Sequence, residues 1–136
     1  MRAHLDALKA ALSPLGYTTH LWAAPDVTPQ YLILSSRSWE SSREVSVCGT
    51  DRSLDTEVRV TAVAGTPEGV EVMLRRVRGL LGPDEGWVRV PLAGRHAQTH
   101  FARGEFIGVD DSVKITGTDR HPGVGVDSYR LVSEPA

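Results

Sequence analysis

Apolar and polar residues alternate most clearly from Glu57 to Gly82, EVRVTAVAGTPEGVEVMLRRVRGLLG, where two periods follow one another across a short turn. Val58, Val60 and Ala62 alternate with Arg59 and Thr61, the period of two that marks a half-buried strand. Past Gly65, Thr66 can cap a helix with its hydroxyl and Pro67 suits the first helical position. Val70, Met73, Leu74, Val77, Leu80 and Leu81 then recur at helical spacing on one stripe, while Glu71, Arg75, Arg76 and Arg78 point away from it. Gly82-Pro83 closes the segment, so the spacing predicts a helix over 67–81. Burying each large apolar side chain of that stripe contributes roughly 1.5–3 kcal/mol before entropy is subtracted, which makes this strand and helix the expected anchor of the core.

The same reading places a first helix over Arg2–Leu12, with Leu5, Leu8 and Leu12 on one face and Ser13-Pro14 at its end. A proline-containing loop, APDVTPQ, leads to Tyr31–Leu34, whose unbroken apolar run predicts a central strand buried on both sides. Ser35 to Ser42 reads as a mobile loop, Val45 and Val47 as a short strand, and Gly49 to Ser53 as a turn. Further strands are expected at Trp87–Val90, ended by Pro91, at His96–Phe101 and at Ser112–Thr116. In the last segment Val124, Val126 and Ser128 alternate with Asp127, Tyr129 and Leu131, which predicts a closing strand. Strands on both sides of one helix, without strict βα alternation, predict an α+β fold: a mostly antiparallel sheet covered on one face by two helices.

Composition narrows the function classes. At 136 residues the chain suits a single domain spanning 1–136, with a formal charge of −2 and arginine preferred over lysine. Nothing in that balance demands nucleic acid as a ligand. Cys48 is the sole cysteine, which excludes an intramolecular disulfide framework and a multi-cysteine zinc site. No apolar run approaches the ~18 residues of a membrane span, and MRAHLDALKAAL reads as an amphipathic helix instead of a signal peptide, so synthesis and retention in the cytoplasm are expected.

Candidate chemistry is sparse. His96 and His100, in RHAQTH, are spaced so that both imidazoles can share one face and hold a zinc or nickel ion. Ala97 stands where a metalloprotease motif needs glutamate, and a third ligand would have to come from His121 or Asp119. Exposed polar histidines are the simpler reading. Asp110-Asp111 could meet a cation, but adjacent carboxylates ahead of Ser112 more often form a turn. GTPEG lacks the lysine of a phosphate-binding loop. Arg75, Arg76 and Arg78 read as a solvated helix face, with Glu71 able to pair with Arg75. Of Trp22, Trp39 and Trp87, Trp39 is set among polar residues in a manner that suits either a protein–protein anchor or a core role. No catalytic residue, metal or cofactor is assigned.

Several of these segments, taken in chain order, resemble one family. The N-terminal amphipathic helix, PQYLIL, the long unit EVRVTAVAGTPEGVEVMLRRVRGLL and the closing DSYRLVSEP are similar to the tail terminator, or tail completion, proteins of long-tailed bacteriophages, especially those of actinobacterial hosts. Gly86 to Thr118 carries little of the likeness. The resemblance implies a non-catalytic virion protein, made in the host cytoplasm and located at the tail–neck junction. About six copies would form a ring through a heterologous interface, cap the tail tube, stop its growth and meet the neck or head completion protein. Genomic DNA would pass through the lumen without sequence-specific binding. The neighbouring head–tail joining proteins of the phage neck are the alternative; a small metal-binding adaptor or enzyme using His96 and His100 is a more distant one. On this reading an edge strand could pair with a neighbour's sheet, the loop from Ser35 to Asp55 could reach across a subunit boundary, and Trp39, Arg43 and Glu44 are the expected contact residues. Asp84, Glu85, Asp110 and Asp111 are the loop carboxylates expected near a lumen that must not grip phosphate.

Overall fold

The computed structural model describes residues 2–23, 29–36, 43–45, 53–82, 86–115 and 117–136, with the backbone alone for 43–45. Helix α1 (Arg2–Leu12) runs into a single 3-10 turn (Ser13–Leu15), followed by strands β1 (Thr18–Leu21), β2 (Tyr31–Ser36), β3 (Arg43–Val45) and β4 (Ser53–Ala64). Helix α2 (Pro67–Leu81) comes next, and then β5 (Val88–Leu92), β6 (Arg95–Val109) and β7 (Gly123–Pro135). The strands form one seven-stranded sheet in the order β1-β2-β4-β7-β6-β5, with β3 also paired to β4. Among the described residues only β1 and β2 run parallel; every other pair is antiparallel. The fold is α+β.

One face of the sheet carries both helices. Along β4 the residues Leu54, Thr56, Val58, Val60, Ala62 and Ala64 are buried, and they form a core with Leu5, Leu8 and Leu12 of α1 and with Val70, Met73, Leu74, Val77 and Leu81 of α2. The two periods of the sequence therefore meet on one layer. Leu80 sits at the margin of that core instead of within it. Thr66 caps α2, its Oγ1 accepting a hydrogen bond from the Gly69 amide at 3.1 Å, and Pro67 opens the helix. The first half of α2 lies against β7, where two glycines make room for it. A Cβ on Gly125 would stand 2.5 Å from Val70 Cγ1, and one on Gly123 would stand 2.5 Å from the Thr66 carbonyl carbon.

Four expectations need correction. β2 is interior but lies one strand in from the edge, since the four-residue, largely polar β1 pairs along it. Pro91 lies within β5 and does not end it; β5 is an edge strand among the described residues, and an edge tolerates a missing N–H on its outward side without loss of a ladder bond. β6 is far longer than His96–Phe101, extending to Val109 with irregularities between Phe101 and Arg103 and between Gly104 and Phe106. The described part of Ser112–Thr116 holds no strand, because Asp110 turns the chain there. Its Oδ1 accepts hydrogen bonds from the Ser112 amide at 3.0 Å and the Ser112 hydroxyl at 2.5 Å. Those bonds hold the Asp110 carboxyl below the usual carboxylate range.

Candidate functional site

β6 divides into two unlike halves. From Val88 to Leu92, β5 pairs with Arg95–Thr99, so the first half of β6 has partners on both edges. Beyond Thr99, among the described residues, β7 is its sole neighbour.

The first half is also sealed from the helix side. Thr99 Oγ1 donates to the Leu81 carbonyl at 2.6 Å, satisfying an orphan oxygen at the end of α2. Phe101 meets Tyr129 edge to face at 5.6 Å between ring centres, and the Arg78 guanidinium lies 4.5 Å above the Phe101 ring. Arg78 is thus not part of a solvated basic face. It turns toward the sheet and forms a two-pronged pair with Asp127, Nε to Oδ2 at 2.7 Å and Nη2 to Oδ1 at 2.9 Å, where Asp127 is 1% exposed. Hydrogen bonding to Asp127 raises the Arg78 pKa further and keeps it charged. Its neighbours behave as read from the sequence: Arg75 pairs with Glu71 at 3.1 Å, while Arg76 donates to the Tyr17 hydroxyl at 2.9 Å. At the far end of the same core, buried His4 reaches from α1 so that its Nε2 lies 2.8 Å from Ser133 Oγ, and that hydroxyl also accepts from Arg95 Nε at 2.6 Å. Burial, with the Arg95 charge adding to it, lowers the His4 pKa to about 4.

The second half of β6 is bare. Ile107 and Val109, paired with Gly125 and Gly123, belong to the helix side yet are each 46% exposed, because α2 does not extend over them. Phe106 stands on the opposite, open face at 51% exposure, and its ring lies close over Gly108. Three large apolar side chains therefore cluster on a strand whose outer backbone edge has no partner among the described residues. Such an edge is a template for strand addition.

Polar groups cross the open face. Glu105 accepts from Ser128 Oγ at 2.8 Å and from Arg103 at 3.1 Å, and it pairs with Arg59 at 3.3 Å. The Ser128 bond, followed by the two arginines, lowers the Glu105 pKa. Arg103 also reaches Glu57 at 2.9 Å, and Arg130 forms a fork with Asp55 at 3.0 and 2.6 Å. Trp87 packs against His100 at 5.2 Å, with the Arg130 guanidinium 5.8 Å from its ring.

The histidine pair lies on this open face, His96 beside Glu134 and His100 against Trp87. The proposed third ligands do not approach it. His121 and Asp119 belong to the loop that joins the far ends of β6 and β7, roughly 40 Å away along the strand at ~3.3 Å per residue. There His121 Nδ1 is 2.6 Å from the Val113 carbonyl, and Asp119 faces Lys114 at 3.8 Å. Among the described residues no three His, Cys, Asp or Glu side chains gather around a common point. Asp110 is engaged in its turn and Asp111 is exposed. Trp39, Cys48, Asp84 and Glu85 lie outside the described residues, and for Arg43 and Glu44 the backbone alone is described, paired with Asp55 and Leu54. Reading the sequence missed Phe106, Ile107 and Val109, although FIGV is an apolar run in a polar stretch, with no covering helix to explain it.

The chain matches no protein-family model and no curated protein.

Proposed function

We propose that this protein is a structural, non-catalytic ring subunit of the tail-terminator type, which caps a phage tail tube, ends its polymerisation and presents a surface to the neck. The observation that supports this reading best is the bare half of β6, where Phe106, Ile107 and Val109 stand exposed along an edge with no partner among the described residues. A heterologous contact made by that edge repeats from subunit to subunit and closes when the rotation between copies divides a full turn, at about six copies for the family that the sequence resembles. The open face supports the same reading. Three of its arginines, Arg59, Arg103 and Arg130, are matched by Asp55, Glu57 and Glu105, which reduces the free positive charge that would retard DNA moving past it, although Arg89 on the same face is exposed. Asp110 and Asp111, at the start of the loop that joins β6 to β7, remain the described candidates for an acidic lumen.

Native mass spectrometry across a wide concentration range tests the proposal. A metal-free ring, or a monomer that converts to one as concentration rises, is the expected result. A monomer that holds one zinc and loses it on His96→Ala would overturn it. Deleting the gene separates the terminator from the neck reading: overlong tails are expected for a terminator, and normal tails without heads for a neck protein.

A further inference from the structure

Among the described residues β1 also has an outer edge without a partner, and it lies level with the bare half of β6. Thr18, Thr19, His20 and Leu21 of β1 stand beside Tyr31 to Leu34, which pair with Val63 to Val60, which pair with Val124 to Asp127. On the far side of those β7 residues stand Gly108, Ile107, Phe106 and Gly104. The same rows of the sheet therefore end at β1 on one side and at bare β6 on the other. Direction fits as well. β1 runs with β2, and three antiparallel steps then lead through β4 and β7 to β6, so β6 runs opposite to β1.

The helix-side surfaces complement each other too. Next to β1 a cleft of about 310 Å³ is lined by Asp6, Lys9, Ala10 and Ser13 with Tyr17 and Thr19. Thr19 belongs to the helix side of the sheet, as do Ile107 and Val109. One edge offers projecting aliphatic side chains, and the other offers a recess on the same face.

We infer that bare β6 of one copy pairs antiparallel with β1 of a second copy, with Ile107 and Val109 entering the α1–β1 cleft of that copy. This rests on the self-associating reading above and names its seam. On the open face the seam sets Phe106 beside the neighbour's His20, and Trp22, 46% exposed just past β1, extends the contact. A symmetric pairing of β6 with β6 would use one edge only. It would leave the β1 edge and the cleft empty in both copies, and it would stop at a dimer.

Cysteine pairing tests the seam. In a Cys48→Ser background, His20→Cys and Phe106→Cys are made as separate proteins and oxidised singly and mixed. The mixture is expected to give a crosslinked His20→Cys/Phe106→Cys pair in about tenfold excess over either protein alone, because the contact raises the local thiol concentration only between unlike edges. Ile107→Asp, a surface change, is expected to move the assembly midpoint to at least about tenfold higher concentration with the monomer still folded. Assembly of the wild type accompanied by crosslinking of Phe106→Cys to itself, by no crosslink at all, or by insensitivity to Ile107→Asp overturns the seam and leaves self-association standing. A wild type that stays monomeric at every concentration overturns both.

Discussion

The two halves of β6 belong to one strand and share one neighbour in β7, yet they do different work. The half from Arg95 to Phe101 is paired on both edges as far as Thr99 and roofed by the end of α2. The half from Ala102 to Val109 is exposed at nearly every position, and its large apolar residues lie outside the core. The contrast separates two uses of apolar surface. In the covered half it stabilises the monomer, and in the bare half it lies exposed, where the proposed seam would use it.

Introducing the same acid on either side of this divide should break the comparison most sharply. Leu74→Asp, in the stripe beneath α2, is expected to cost more than about 4 kcal/mol and to leave the chain unfolded by circular dichroism. Ile107→Asp should change monomer stability far less, by about 1 kcal/mol or less in urea titration, since Ile107 lies outside the core and is 46% exposed. Next in size is the Arg78–Asp127 pair at the boundary between the halves. Asp127→Ala strands a partly covered guanidinium and should cost about 2–3 kcal/mol, and a double Asp127→Leu, Arg78→Met variant should recover much of that loss. Recovery would identify the pair as a device for placing α2 over the sheet, as opposed to a net source of stability.

A pH titration gives the third effect. His4 is held neutral under the covered half, with a pKa of about 4 against about 6.5 in the unfolded chain. The unfolded state takes up a proton first as pH falls, so the His4 contribution is complete above pH ~6.5 and declines toward pH ~4, by at most about 1.4 kcal/mol per pH unit. Denaturant midpoints measured from pH 7 to 4 should show this slope, and His4→Asn should flatten it. The smallest effect is expected on the open face. Arg130→Ala removes an exposed fork to Asp55 and should leave the melting temperature unchanged within error.

Much of the covered region was legible from residue order. α1 and α2 begin and end where the leucine spacing, Thr66-Pro67 and Gly82-Pro83 place them, because a buried stripe imposes a period on the sequence. β6 was legible only as far as its burial. Past Phe101 no face is covered, so RGEFIGV has no reason to alternate, and its strand character comes from pairing with β7. The role of Asp127, in the same row as Tyr129 and Leu131, was hidden for a related reason. An aspartate at an inward position looks like an error in the pattern until Arg78, 49 residues earlier, is known to bend over it. The candidate seam joins β1 to the part of β6 that β5 does not cover, and one chain read in order carries no sign that β1 and β6 end the same rows.

One further consequence concerns synthesis. β7 lies between β4 and β6, although it follows both in the chain. While a ribosome is still adding residues 123–135, β4 and β6 lack the strand that joins them, and each exposes hydrogen-bonding edges to whatever nascent chains lie nearby. The sheet therefore cannot be completed until β7 is available to pair with both, so the central part of the fold rests on contacts between residues far apart in the chain.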